Sequence, residues 1–224
     1  MPPSLLLTRP QRAAERFAAR VAGLGLDVVI SPILRIVPVA HDADLLRNAQ
    51  GLVLTSVNAI PAAGPGRGRP AICVGPATAK AARAAGFDVT EGPGDAARML
   101  PLLQGLGPGW LHPHGAHVAA DLPVPGVVVY DQLPQPLSAQ AVDLLSGSEA
   151  VILPLFSPRS ARLLADAARD ARGPLWLAPI SAAARDAWHL RAARVAVARV
   201  PDASGVQAAI ESLLAAERST DRTG

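Results

Sequence analysis

One cysteine, one tyrosine, three phenylalanines and a single lysine in 224 residues leave this chain short of groups on which many protein classes depend. The lone thiol, Cys73, excludes an intrachain disulfide and a multi-cysteine metal site. Lying inside an apolar run, it reads as a buried structural thiol. Aromatic residues make up 3% of the chain, and its arginines are scattered instead of gathered into a basic block, which argues against nucleic-acid binding. No apolar run approaches the ~20 residues that a membrane span requires. The first seven residues carry no basic side chain, and Arg9 cuts their apolar stretch short, so no secretory signal is read and a cytoplasmic location is expected. After the first apolar strand stands Arg9-Pro10-Gln11, not a G-x-G-x-x-G fingerprint, which disfavours a nucleotide-dependent oxidoreductase.

What the chain has in quantity is apolar residues, half of the total, enough for one large domain or two small ones. Its net charge is only +3, carried almost wholly by arginine. Strand-like runs at residues 5–8, 27–31, 52–54, 71–74, 87–90, 110–112, 150–153, 175–178 and 195–200 alternate with helical patterns. Those patterns cover residues 11–24, 44–50, 57–63, 77–85, 96–103, 139–145, 159–171, 182–190 and 206–217. Such alternation predicts an α/β protein with parallel sheets covered by helices on both faces. The polar residues 218–224 are expected to fray.

Two extended, proline-bounded segments, residues 32–39 and 127–134, break the alternation. If they pair as a two-stranded antiparallel ribbon, residues 40–126 form an inserted lobe. Residues 1–31 and 135–224 then form the other, each near the size of a small domain, and the ribbon could serve as a hinge.

Each expected lobe holds two junctions where an apolar strand runs into a hydroxyl-rich helix start. They are Leu54-Thr55-Ser56-Val57-Asn58 and Val74-Gly75-Pro76-Ala77-Thr78 in one lobe, Phe156-Ser157-Pro158-Arg159-Ser160 and Pro179-Ile180-Ser181 in the other. A helix start presents unpaired N–H groups and the positive end of its dipole, and small residues let an anion approach. The pattern points to two lobes facing one acidic ligand. The residues themselves leave open a non-catalytic module that binds or responds to a small anion.

The order and spacing of these motifs, together with Leu6-Leu7-Thr8-Arg9-Pro10, Cys73-Val74-Gly75, Val129-Tyr130 and the two proline-bounded segments, resemble the uroporphyrinogen-III synthase family over essentially the whole chain. The resemblance implies a monomeric lyase of tetrapyrrole biosynthesis that uses no metal or organic cofactor. Its substrate would be hydroxymethylbilane, a linear tetrapyrrole with eight carboxylates. Loss of the hydroxymethyl hydroxyl as water gives an azafulvene cation, and a spirocyclic intermediate lets the last ring invert before the macrocycle closes. Partners beyond that small polycarboxylate, whether nucleic acid or membrane, are not implied.

The resemblance places a proton-donating tyrosine at Tyr130; a phenol is protonated at neutral pH and suits the role of donor better than that of base. Candidate substrate contacts are Arg9, Ser56, Asn58, Gly75, Ala77, Thr78, Ser157, Arg159, Ser160 and Ser181. Thr78 also reads as an ordinary helix cap, and Ser56 with Asn58, Ser157 with Ser160, and Ser181 carry the same alternative. Lys80 and Arg83 read as solvated helix face. His112, His114 and His117 have ligand types that suit zinc, but the glycine- and proline-rich surroundings favour no metal. The family's usual Arg-Gly pair is here His114-Gly115.

Overall fold

The computed structural model describes residues 3–94, 98–118 and 120–221, with the backbone alone for 218–221. The first half of the chain forms β1 (Ser4–Leu7), α1 (Gln11–Val21), β2 (Val28–Ile30), β3 (Leu34–Pro38), α2 (Ala43–Arg47), β4 (Gly51–Leu54), α3 (Ile60–Ala63), β5 (Pro70–Cys73), α4 (Pro76–Ala84), β6 (Asp88–Glu91) and α5 (Leu100–Leu103). The second half forms β7 (Trp110–Gly115), β8 (Gly126–Pro134), α6 (Ala139–Ser146), β9 (Val151–Leu155), α7 (Pro158–Ala167), β10 (Leu175–Pro179), α8 (Ala182–Asp186), β11 (Arg194–Val195) and α9 (Ala203–Asp221). Among the described residues no helix is long and apolar enough to cross a membrane.

The chain divides into two compact units, one made of Met1–Arg35 with Pro134–Gly224, the other of Ile36–Leu133. The first unit holds a five-stranded sheet in the order β11-β10-β9-β1-β2, and its ladders are parallel. Strands buried on both faces read as unbroken apolar runs, which is why Leu5-Leu6-Leu7 and Val151–Leu155 carry so few polar residues. Alternate residues serve opposite layers. Leu6 and Leu153 pack with Leu145 of α6 and Leu164 of α7; Leu5, Leu7 and Ile152 pack with Phe17 of α1 and Ile210 of α9.

The second unit holds a six-stranded sheet in the order β3-β8-β7-β4-β5-β6, with parallel ladders from β8 through β6. Here too the faces alternate: Leu52 and Leu54 pack with Ala79 and Ala82 of α4, Val53 with Met99 and Leu103. Cys73 is buried in β5, where burial pushes its thiol up to about 11. The proline-bounded segments form β3 and β8, neighbours in this sheet. The Val39 N–H donates to the Val129 carbonyl at 3.0 Å, and the Gln135 N–H to the Ile33 carbonyl at 3.0 Å.

Several expected elements differ in length. Helix 57–63 opens as a 3₁₀ turn at Val57–Ala59 before α3, because Pro61 supplies no N–H to a longer α-helical start. Strand 195–200 shrinks to Arg194–Val195, and helix 182–190 stops at Asp186. Of the expected helix 96–103, residues 96 and 97 lie outside the described residues and α5 covers Leu100–Leu103. The expected fraying at 218–224 falls on residues whose side chains, and for 222–224 also backbone, lie outside the description.

Leu153 is fully buried between β9 and its helices. Leu153→Ala should lower unfolding free energy by about 2–5 kcal/mol in a denaturant titration; a loss well under ~1 kcal/mol would contradict this core.

Candidate functional site

In each sheet the chain winds one way from a central strand and then returns to wind the other way. Ligands of open α/β sheets bind beyond the carboxyl ends of the strands where that reversal occurs. In the five-stranded sheet the reversal lies between β1 and β9, and in the six-stranded sheet between β4 and β7. Both positions carry a side-chain contact that links the two strands.

Between β1 and β9 that contact is Arg9 on Phe156. The guanidinium carbon lies 4.0 Å from the ring centroid, and Phe156 meets Phe17 edge-on at 5.0 Å. The β1–β9 register ends at Leu5 opposite Ile152, whereas β9 and β10 stay paired to Leu155. Pro154 has no N–H to offer β1, and the two strands part before it. Burial, reinforced by the nearby charge of Arg16, pulls the Arg9 guanidinium down to about 10. Among the described residues no carboxylate pairs with it. A partly desolvated cation of this kind is stabilised by the aromatic face, and it retains donors for a ligand carboxylate.

Between β4 and β7 the contact is a hydrogen bond of 2.9 Å between Thr55 Oγ1 and His112 Nε2. His112 is 4% exposed, and its ring lies 4.8 Å from that of His114. Burial first, then the proximity of His114, holds its pKa down to about 4, so the imidazole is neutral at physiological pH. The Nδ1 of His114 lies 2.7 Å from the Gly115 carbonyl and must donate, since a carbonyl only accepts.

The hydroxyl-rich helix starts separate into two kinds. Ser56 accepts from the Asn58 N–H at 3.2 Å, Ser157 from the Ser160 N–H at 3.1 Å, and Ser181 from the Ala184 N–H at 3.3 Å. These serines cap their own turns. Ser160 is drawn into the same cap, its Oγ 2.7 Å from that of Ser157. Arg159 sits half-buried in the first turn of α7, and Asn58 in the 3₁₀ turn.

The start of α4 is different. Gly75 occupies the cap position and no side chain caps the helix, while Pro76 removes one donor. The first-turn N–H groups of Ala77 and Thr78 therefore remain for a ligand. A Cβ on Gly75 would lie 3.1 Å from Gly94 Cα, so a larger residue would crowd this end. Thr78 lies two positions past the proline and is not a cap. It is only 5% exposed, yet its hydroxyl neither bonds within the described protein nor is sealed from solvent. Lys80 is exposed, and Arg83 reaches Glu91 at 3.4 Å.

Tyr130 lies in β8 at 6% exposure, its ring against Gly115 of β7. A Cβ at Gly115 would fall 2.5 Å from that ring, so this approach needs glycine. Among the described residues the phenol oxygen has no partner within the protein and is not sealed either; the sealed side-chain atom without a partner is Trp188 Nε1. The structure thus brings Tyr130 beside the His112–His114 strand. His117 stands apart, 3.6 Å from Asp131. Among the described residues no group of three His, Cys, Asp or Glu is placed to hold a metal.

A family model described as uroporphyrinogen-III synthase HemD matches residues 15–211. The chain belongs to the uroporphyrinogen-III synthase family. Among curated proteins no sequence matches. Of solved structures, the uroporphyrinogen-III synthetase of Helicobacter pylori aligns with a TM-score of 0.60 at 15% identity, over 95% of this chain and 100% of that one. A mutant uroporphyrinogen III synthase of the extremely thermophilic bacterium Thermus thermophilus aligns with a TM-score of 0.51 at 17% identity, over 95% and 99%. At these identities the likeness is one of fold: two parallel-dominated sheets flanked by helices.

Sequence reasoning about this synthase-family chain missed Thr55 with His112, and Phe156 as the partner of Arg9. The first pair joins residues 57 positions apart, and no local pattern reports a strand register. Arg9 itself was legible from its place at a strand's carboxyl end.

The depressed His112 pKa has a consequence for stability. Between its folded value near 4 and its ordinary 6.5, the unfolded chain binds the proton and the folded one does not. Stability should therefore fall as pH drops through that window, by on the order of 3 kcal/mol at most. His112→Gln keeps a polar partner for Thr55 and removes the titration. Its unfolding free energy should fall less from pH 7 to pH 4 than that of the parent protein, and parallel profiles would contradict the assignment.

Proposed function

We propose that this protein closes hydroxymethylbilane to uroporphyrinogen III, with inversion of the last ring and loss of water, and that the residues at its strand ends grip the substrate's carboxylates. The observation that carries the reading is Arg9. A guanidinium that is partly desolvated, stacked on Phe156 and without an acidic partner is costly to the free protein unless a ligand uses it. A flexible polycarboxylate supplies that partner through a charge-assisted, bidentate hydrogen bond.

The open start of α4 offers further donors for a carboxylate, through the N–H groups of Ala77 and Thr78 and the Thr78 hydroxyl. Ser56, Asn58, Ser157, Arg159, Ser160 and Ser181 shape and cap the neighbouring turns, and their turns present further donors. Holding a flexible chain in one shape can supply about 7–11 kcal/mol of the barrier in favourable cases. This matters here because the free substrate closes without inversion.

Tyr130 is the proton donor. Its hydroxyl gives a proton to the departing hydroxymethyl oxygen, water leaves, and the azafulvene cation remains to be attacked by the substituted carbon of the last ring. The spirocyclic intermediate then reopens and recloses through the unsubstituted α-carbon of the inverted ring, whose proton is released and restores the phenol. The balance is loss of one water, with no oxidant or reductant. The same reading has the enzyme work as a cytoplasmic monomer on a freely diffusing polyanion.

Two variants separate grip from chemistry. Arg9→Met keeps apolar contact with Phe156 and deletes the charge. Its KM should rise about 10–150-fold, the equivalent of ~1.5–3 kcal/mol for a hydrogen bond to a charged group, while the melting temperature stays level or rises. An unchanged KM would remove Arg9 from the site. Tyr130→Phe should lower kcat by ~100-fold or more with KM and melting temperature held; unchanged kcat would leave the ring a packing role only.

A further inference from the structure

The arginines outside the strand-end sites are not all accounted for by structure. At the amino edge of the five-stranded sheet, the segments that lead into β10 and β11 enclose an open depression of about 500 Å³. Its rim carries Arg169, Arg172 and Arg191, and its apolar lining includes Ala168, Leu175 and Leu190. Strand-end candidates such as Arg9, Ser157 and Ser181 belong to the carboxyl edge of the same sheet. The two regions are therefore at opposite ends of the strands.

Charge in the depression is one-sided. Arg169 reaches Asp166 at 3.2 Å, and His189 meets the same carboxylate oxygen at 3.4 Å. Among the described residues neither Arg172 nor Arg191 is paired with a carboxylate. The carboxyl end of α7 gives a reason for one or two cations just beyond it, yet Arg191 comes from a different segment, past α8. The planar donor forks of Arg172 and Arg191, with Arg169 beside them on Asp166, suit a ligand with more than one carboxylate.

The walls are also held in place. The Arg172 N–H donates to the Leu145 carbonyl at 2.9 Å, and the Ala193 N–H to the Leu175 carbonyl at 2.8 Å. A Cβ on Gly173 would lie 2.2 Å from the Glu149 carbonyl oxygen, so this loop sits hard against its neighbour and tolerates glycine only. Beneath, Ala168 and Leu175 belong to an apolar cluster that also contains Trp188, 8% exposed, and Leu190 packs against it. A rim of guanidinium groups over an apolar floor fits an organic polyanion with a compact carbon body better than a simple inorganic ion.

We propose that this depression is a binding site for a compact organic polycarboxylate, separate from the site of ring closure. It stands independently of the cyclase reading, since it rests on other residues at the other edge of the sheet. A ligand there leaves the strand ends open to substrate, as an accessory or regulatory site requires.

The test uses benzenehexacarboxylate as a probe in titration calorimetry, on the parent protein and on Arg172→Gln/Arg191→Gln. Both arginines lie outside the buried core, so the double variant is expected to fold. The expected result is saturable binding to the parent, with affinity at this site at least ~10-fold weaker in the variant. Turnover of hydroxymethylbilane should be retained. Superimposable isotherms would overturn the proposal, because the probe would then be held elsewhere. Absence of saturable binding to the parent would overturn it, as would loss of turnover in a folded double variant, which would assign the arginines to the reaction.

Discussion

Parallel strand pairing is the constraint on which the rest of this structure depends. A parallel ladder sends every carboxyl end to one edge of the sheet, and the crossovers that follow begin their helices at that edge. The two sheets therefore concentrate helix starts, with their unpaired N–H groups and positive dipole ends, without any special sequence for the purpose. Chain reversal then opens a place between two central strands in each sheet. Arg9 on Phe156 and Thr55 with His112 lie at those places. One is a cation with no carboxylate partner among the described residues; the other is a neutral pair that fixes two strands to each other.

The division of labour among polar residues follows from the same geometry. A serine that caps its own helix has already committed its acceptor to a backbone donor, and Ser157 and Ser181 are of this kind. Gly75 contributes no side chain, so α4 keeps its first-turn donors. The two devices are complementary. Capped turns satisfy their own first donors, while the uncapped turn of α4 and the Arg9 guanidinium leave donors unused among the described residues.

The fold was legible in the sequence because buried parallel strands leave continuous apolar runs. Leu5-Leu6-Leu7, residues 52–54 and residues 150–153 could hardly be anything else. Helix α7 announced itself through Ser157-Pro158 and through Ala161, Leu164 and Ala165 on one face. Edges were less legible. Residues 195–200 have strand-like composition, and Ala196 and Ala198 still donate to the Leu177 and Pro179 carbonyls of β10, but the regular ladder is confined to Arg194–Val195 at the sheet edge.

For the site, residue type and position marked Arg9 and Thr78 as candidates, while Tyr130 entered through the family resemblance. What they touch was not readable, because contacts such as Gly115 on Tyr130 depend on the register of β7 against β8, including its shift between His114 and Gly115. For the serines the sequence left capping and ligand contact as open alternatives, since both ask for the same residue at the same spacing. The most direct measurement of the central claim is to incubate the protein with hydroxymethylbilane, oxidise the products and separate the porphyrin isomers. Isomer III, formed faster than the substrate closes unaided, is expected; isomer I alone, at the unaided rate, would contradict ring inversion by this protein.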